Sequence, residues 1–261
     1  MKNAVLILLF LVFPLVLAHG EDIAEEDINK SISNTALNLI YIASAIILII
    51  TIISISFEEK LKKYKVFLFL GIIIPVIFTT IFLTGSTIYL NIISQTKGPV
   101  HWHADFEIWN CGNKIDMIDP IGLSNRVGSP VFHEHGDDRI HVEGVLKNKE
   151  DANLDNFFHT IGGDLHNDKI KIPTNDGLIT LKNNDLCNGL PSKLQVFVYK
   201  TREKSYHQEK LGHFEDYILS PYSNVPPGDC IIIEFSPEKE QTNRICETYR
   251  TAIETGDIIG S

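Results

Sequence analysis

The sequence is poor in the residues on which several common functions depend. It has only 2 methionines and 4 cysteines, and no two cysteines stand in the C-x-x-C spacing of a thiolate metal site. The 23 lysines and arginines are outnumbered by 33 aspartates and glutamates, which gives a net charge of −10. A sulfur-based site for a soft metal is therefore disfavoured, and so is a nucleic-acid partner, which would require a basic surface.

Aspartate, glutamate, lysine, arginine and histidine are also missing from two long apolar stretches, residues 36–56 and 66–94. Each is long enough to cross the hydrocarbon core of a bilayer, so we predict two transmembrane helices. The lysine-rich segment 57–65 between them predicts a cytoplasmic loop, which places residues 19–35 and everything after the second span outside. Spans without these residues predict an anchor rather than an ion pathway.

Residues 1–18 have the pattern of a secretory signal peptide, with Lys2 before an apolar run that ends at Ala18. Cleavage after Ala18 would leave His19 at the start of an acidic exterior tail, residues 19–35. The α-amine and ring nitrogen of His19 would then form a chelating pair that suits Cu(II). An uncleaved signal anchor is the alternative, and it leaves the topology unchanged.

Residues 97–261 predict an α+β, mostly-β exterior domain, because short alternating segments are separated by turn residues. We also predict a short helix capped by Asn153 and a closing helix over Glu238–Ile253. The predicted strands are His103–Trp109, Lys114–Ile118, Arg139–Glu143, Lys169–Ile172, Leu178–Leu181, Leu194–Tyr199, Phe214–Leu219 and Cys230–Phe235.

All the cysteines lie in this domain, which predicts disulfides formed in an oxidising compartment. Four cysteines allow three pairings. We favour Cys111–Cys187 together with Cys230–Cys246.

The histidines are arranged in pairs that suit a metal ion. His101 and His103 form one H-x-H pair, His133 and His135 form a second, and His141 follows. In extended chain, residues i and i+2 point the same way, so each pair offers two imidazoles on one face. We predict a site for a transition metal ion, Cu(II) or Zn(II), at these histidines. Nearby carboxylates that could assist are Glu107, Glu134, Asp137, Asp138 and Glu143.

The order of these motifs resembles a family of prokaryotic, mainly archaeal, membrane-anchored exterior domains. Members carry an H-x-H segment, then H-x-H-x-D running into I-H-[VI]-E, then a short helix with paired phenylalanines. The matching segments here are 101–105, 133–143 and 154–158, and the resemblance spans roughly residues 99–235. Glu134 departs from the pattern, which has Thr there. The resemblance implies a shared fold and site, and no reaction.

Three functions are compatible with the sequence. The first is metal capture, delivery or sensing by an anchored exterior domain. The second is a metal-dependent hydrolase or oxidase that uses Glu143 or Glu134 as general base. The third is a non-metal interaction module in which Trp102, Trp109 and Phe132 contribute to docking. The expected partners are the lipid bilayer and, as an open alternative, another membrane or exterior protein.

Overall fold

The computed structural model describes residues 28–219 and 228–260. The chain divides into two compact units, one ending at Thr87 and the other beginning at Ile88. The predicted signal peptide and His19 lie outside the described residues.

Two long apolar helices make up most of the described part of the first unit, and the second of them continues past Thr87. Helix α1 spans Ile28–Ser56, a short helix α2 (Glu58–Leu61) and a 3-10 turn follow, and helix α3 spans Lys65–Ile93. By length and composition, residues 31–56 and 58–93 are suited to cross a membrane, with mean hydropathies of 2.6 and 2.8. Helix α1 begins before the predicted span, so the end of the acidic tail is helical.

Polar side chains in these helices bond within their own helix. The Thr51 hydroxyl donates to the carbonyl oxygen of Ile47 at 2.8 Å, and the Thr80 hydroxyl donates to that of Val76 at 2.8 Å. Such bonds satisfy hydroxyl groups without water, which an apolar surrounding requires. The backbone of these helices and their hydroxyl side chains are thus compatible with a lipid environment.

The second unit, which we call the sheet domain, is built mainly of β-strands. In chain order they are β1 (Pro99–Asn110), β2 (Asn113–Ile115), β3 (Val127–Gly128), β4 (Phe132–Glu134), β5 (Arg139–Val145), β6 (Asp164–His166), β7 (Lys169–Thr174), β8 (Gly177–Lys182), β9 (Leu186–Cys187), β10 (Leu190–Pro191), β11 (Lys193–Arg202), β12 (Ser205–Leu211), β13 (Asp229–Ser236) and β14 (Ile259–Gly260). The described helices of this domain are α4 (Leu154–Thr160) and α5 (Glu247–Thr255).

A 9-stranded mixed sheet organises the domain, in the order β14-β12-β11-β13-β1-β5-β4-β3, with β2 paired to β1. Strand β1 is parallel to β13 and antiparallel to β5. A 3-stranded sheet, β6-β7-β8, and the β9-β10 pair complete the strands. The predicted class, two apolar helices followed by a mostly-sheet domain, agrees with this architecture.

The two faces of the large sheet have different coverings. On one face, the alternate residues Trp102, Ala104, Phe106 and Ile108 of β1 pack into the main core, which also holds Phe157 and Phe158 of α4. On the opposite face, Phe197 and Ile232 pack with Tyr249 of α5. Because side chains alternate along a strand, the histidines of β1 lie on this second face.

Local sequence explains helix α4. The Asn153 side chain accepts a hydrogen bond from the Asn156 backbone N–H at 2.8 Å, as expected of an N-cap. Phe157 and Phe158 are fully buried beneath the sheet. The helix therefore forms where it was predicted and anchors the core below the histidine-bearing strands.

The cysteines pair as favoured from the sequence. One disulfide joins Cys111, in the turn between β1 and β2, to Cys187, and the other joins Cys230 of β13 to Cys246 before α5. The second bond attaches the segment leading into α5 to the large sheet.

Two sequence predictions are wrong, and the strand predicted over Lys114–Ile118 is only partly right, because it ends at Ile115. The segment predicted as a strand over Phe214–Leu219 has no regular structure, apart from a single bridge between Ile218 and Asn153. The closing helix begins at Glu247 rather than Glu238. The preceding chain is held extended by side chains of the sheet, since Gln195 accepts a hydrogen bond from the Lys239 backbone N–H at 2.9 Å.

Candidate metal centre

Three neighbouring strands bring the histidines together. His103 of β1 pairs with His141 of β5, and His141 pairs with His133 of β4. Directly opposite residues in antiparallel strands project to the same face with their Cβ atoms close together. The three imidazoles therefore form a row across three strands.

The cross-strand pairs on either side of His103 and His141 also belong to this face of the sheet. His101 lies opposite Glu143, and Asp105 lies opposite Arg139. His135 follows β4 at the i+2 position from His133, and its ring lies 4.8 Å from the His133 ring. We call this side of β1, β5 and β4 the histidine face; it carries His101, His103, His133, His135 and His141.

His141 lies at the centre of the histidine face. Its ring centroid is 4.6 Å from that of His103, 4.7 Å from that of His135 and 5.3 Å from that of His133. The rings of His133 and His141 are stacked, with an interplanar angle of 7°. The structure thus brings all the histidines predicted as ligands into one cluster.

Two overlapping groups on this face have ligand atoms within 4.8 Å of one another, and each could hold a metal ion. One group is His101, His103, His141 and Glu143, and the other is His133, His135 and His141. Imidazole nitrogens with a carboxylate oxygen form a donor set suited to Zn(II) or Cu(II).

Two carboxylates lie beside the imidazoles. Glu143 Oε1 is 3.0 Å from His101 Nε2 and 3.9 Å from His141 Nδ1, and Glu143 Oε2 is 3.9 Å from His133 Nε2. Asp137, in the turn between β4 and β5, places Oδ2 at 3.6 Å from His141 Nε2. Carboxylates in these positions can bind the ion or orient the rings.

The cluster is buried at one end and open at the other. The side chains of His133 and His141 are 2% and 12% exposed, whereas that of His101 is 65% exposed. Burial lowers the pKa of His133 and of His103, and it lowers the pKa of His141 to about 4. These rings are accordingly neutral at pH 7, which is the form that binds metal ions.

Several buried ring nitrogens have no hydrogen-bond partner among the described residues. They are His103 Nε2, His133 Nδ1 and both nitrogens of His141. A buried polar atom without a partner costs roughly 1–3 kcal/mol, so native proteins seldom leave several together. A metal ion would satisfy such lone pairs, and the residues present therefore fit one.

Glu134 and Glu143, both predicted as candidate general bases, have different surroundings. Strand alternation turns the Glu134 side chain away from His133, and its carboxylate is buried and accepts the Asp137 backbone N–H at 2.7 Å. Burial raises the pKa of Glu134. Glu143 is the carboxylate beside the imidazoles, and Glu134 holds the turn that carries Asp137.

A supporting pair was missed at the sequence level. Arg139 Nε donates to Asp105 Oδ1 at 2.6 Å, and the Thr248 hydroxyl donates to Asp105 Oδ2. These bonds join β1, β5 and α5 beside the row of His103 and His141. Asp105 and Arg139 share faces with those histidines at i+2 spacing, which is the signal that could have identified them.

The remaining predicted carboxylates are paired with a lysine. Lys114 Nζ lies 2.6 Å from Asp138 Oδ2 and 3.5 Å from Glu107 Oε1. Neither carboxylate belongs to a ligand group within residues 28–219 and 228–260.

The aromatic residues proposed for a docking surface are mostly internal. Trp102 and Phe132 are each 5% exposed and belong to the main core. The ring of Trp109 is covered by the Arg244 guanidinium at 3.8 Å. These positions favour a packing role over contact with a partner.

Comparison of the chain with protein-family models, with curated protein sequences and with solved structures gives no significant match. The functional interpretation therefore depends on the geometry of the histidine face and on its chemistry.

Proposed function

We propose that the sheet domain is a membrane-anchored exterior domain that binds a transition metal ion at its histidine face, for capture, delivery or sensing of the metal. The proposed ligands are His101, His103, His133, His135 and His141, and the proposed metal is Cu(II) or Zn(II). The resemblance to the archaeal exterior domains belongs to the same proposal.

The unpartnered nitrogens of His103, His133 and His141 are the observation that carries this proposal. An ordinary structural histidine would donate or accept at least one hydrogen bond when buried, whereas neither ring nitrogen of His141 has a partner among the described residues. Here three neighbouring strands direct neutral rings to one place and leave their lone pairs available. Metal coordination accounts for that arrangement without a further assumption.

The donor chemistry supports a borderline metal rather than a soft one. All the cysteines are in disulfides, so none offers a thiolate. Met117 is buried in the core at 7% exposure. Nitrogen and oxygen donors remain, and these suit Cu(II) and Zn(II) better than Cu(I).

The rest of the chain supports an exterior location. Disulfides persist in oxidising compartments, and both lie in the sheet domain. The lysines between the apolar helices favour a cytoplasmic position for that connection. The bilayer is then the first partner, and a membrane or exterior protein that gives or receives the metal would be the second.

Equilibrium binding tests the proposal. The full chain is purified in detergent, stripped with a chelator and titrated with Cu(II) or Zn(II), and binding is followed through the combined emission of Trp102 and Trp109, both on β1. We expect saturable binding by the wild type. The double variant His133→Ala/His141→Ala should abolish this binding. The control variant His207→Ala, at an exposed position of β12, should leave it unchanged. Equal binding by the wild type and the double variant would contradict the proposal.

A metal-dependent hydrolase is the second candidate, favoured by the exposure of Glu143. Its side chain is 41% exposed while one oxygen lies 3.0 Å from His101 Nε2. A carboxylate so placed could act as a base toward water beside a metal. Hydrolysis of a phosphate-ester probe by the Zn(II)-loaded chain, lost in Glu143→Gln with metal content retained, would support it. Absence of turnover in the loaded wild type would leave the binding role.

A further inference from the structure

We propose that the histidine face holds two metal ions, joined by the imidazole of His141 as a bridging ligand. This inference rests on the proposed metal-binding function and assigns a distinct role to one of its residues.

The two donor groups overlap in a single residue. His101, His103 and Glu143 form one group with His141, whereas His133 and His135 form the other group with it. Among the described residues, no group of ligand atoms within 4.8 Å contains both His101 and His135. A single ion therefore has no means of using all the histidines in this arrangement.

Each ring nitrogen of His141 lies near a different carboxylate. Its Nδ1 lies 3.9 Å from Glu143 Oε1, and its Nε2 lies 3.6 Å from Asp137 Oδ2. Both nitrogens are buried and lack a hydrogen-bond partner among the described residues. The two ring nitrogens of an imidazole point in divergent directions, so one ion can bind only one of them. Two unpartnered nitrogens on the one residue that two donor groups share are what a bridge requires.

The ligands offset most of the charge of the two ions. The first ion binds the lone pair of the neutral His141 ring. The second ion takes the other nitrogen, whose N–H bond breaks and releases its proton to water while the electron pair stays on nitrogen. The resulting imidazolate, Glu143 and Asp137 carry three negative charges against the four positive charges of two divalent ions. Each side of the bridge has one carboxylate within 4 Å of it.

Copper titration of the full chain in detergent tests the bridge. Cu(II) is added to the chelator-stripped protein, and bound copper per chain and the electron paramagnetic resonance signal are recorded together. An imidazolate bridge couples two Cu(II) spins antiferromagnetically. We expect two coppers per chain, with a signal that grows to one equivalent and falls as the second binds.

Variants separate the bridge from metal binding as such. His101→Ala/His103→Ala removes two of the four donors of one group only, so it should bind one copper with an undiminished, uncoupled signal. His141→Ala should lose the coupling, and Trp emission verifies that it is folded. His207→Ala should behave as the wild type.

The outcomes that overturn the inference are distinct from failure of the proposed function. One copper per chain, or two coppers whose signals simply add, would refute the bridge and leave metal binding intact. No bound copper or zinc in the folded wild type would refute both.

Discussion

The buried ring of His141 makes the metal-free sheet domain sensitive to acid. Its side chain is 12% exposed, and burial lowers its pKa from 6.5 to about 4. The unfolded chain, with an ordinary imidazole, takes up a proton at higher pH than the folded chain does. A pKa difference of about 2.5, at about 1.4 kcal/mol for each pH unit, corresponds to about 3 kcal/mol.

The sign follows from which state binds the proton first. Above pH 6.5 the ring is neutral in both states, and its titration contributes nothing to the free energy of unfolding. As the pH falls from 6.5 to 4, the unfolded state is protonated and favoured, so stability is lost. Below pH 4 the folded state is protonated too, and the loss is complete.

Urea unfolding of the full chain in detergent, with chelator present, measures this effect. The sequence has 2 tryptophans, Trp102 and Trp109, so their emission reports on the sheet domain alone. Between pH 6.5 and pH 4 the wild type should lose about 3 kcal/mol more than His141→Asn. The exposed control His207→Asn should follow the wild type. If the wild type and His141→Asn lose the same free energy of unfolding over this pH range, the conclusion that His141 is buried as a neutral ring is refuted.

Three further predictions concern the supports of the site. Replacing Cys111 and Cys187 together by serine removes a crosslink between residues 76 apart in the sequence. Urea unfolding should therefore show that the free energy of unfolding falls by about 4 kcal/mol. An unchanged urea midpoint would contradict this prediction. Gly128→Ala adds a Cβ against the Phe132 carbonyl oxygen, at a residue whose φ is +113°. Thermal unfolding should therefore show that the free energy of unfolding falls by about 1–3 kcal/mol. An unaltered melting temperature would contradict the β3–β4 geometry. Glu134→Ala removes the acceptor of the turn that carries Asp137, so metal titration should show affinity about 10- to 100-fold lower; wild-type affinity would show that the turn does not depend on it.

Alternation along the chain was sufficient to predict the histidine face within each strand. Residues at i and i+2 share a face in extended chain, which grouped His101 with His103 and His133 with His135. The same rule, applied to Glu134, shows that its side chain points away from them. Local periodicity therefore indicates both which side chains of β4 belong to the site and which do not.

The convergence of the strands was beyond local pattern. β1 and β5 pair across a long loop, and the register that sets His103 opposite His141 depends on the packing of Trp102, Ile140 and Val142 in the core. Such long-range register is specified by burial of a whole face rather than by any one segment. The sequence supplied the ligands, and tertiary packing decides which meet.

Strand β12 is absent from the strands predicted from the sequence, and the strand predicted over Phe214–Leu219 does not form. Both differences have the same cause. Strand β12, Ser205–Leu211, is rich in charged and polar residues and carries little apolar periodicity. It forms because β11 lies beside it, with pairs such as Val198 opposite Glu209. The segment Phe214–Leu219 looks more apolar, but Phe214 and Leu219 are buried as loop residues over the core. Apolar content was therefore a poor guide in this part of the domain.

Metal content of the full chain as isolated tests the central claim most directly. The protein is purified without immobilised metal, and elemental analysis is carried out beside the His133→Ala/His141→Ala variant and the His207→Ala control. We predict copper or zinc in at least equimolar amount in the wild type and the control, and its loss in the folded double variant. A folded wild type that remains without metal after exposure to Cu(II) and Zn(II) at neutral pH would contradict the account.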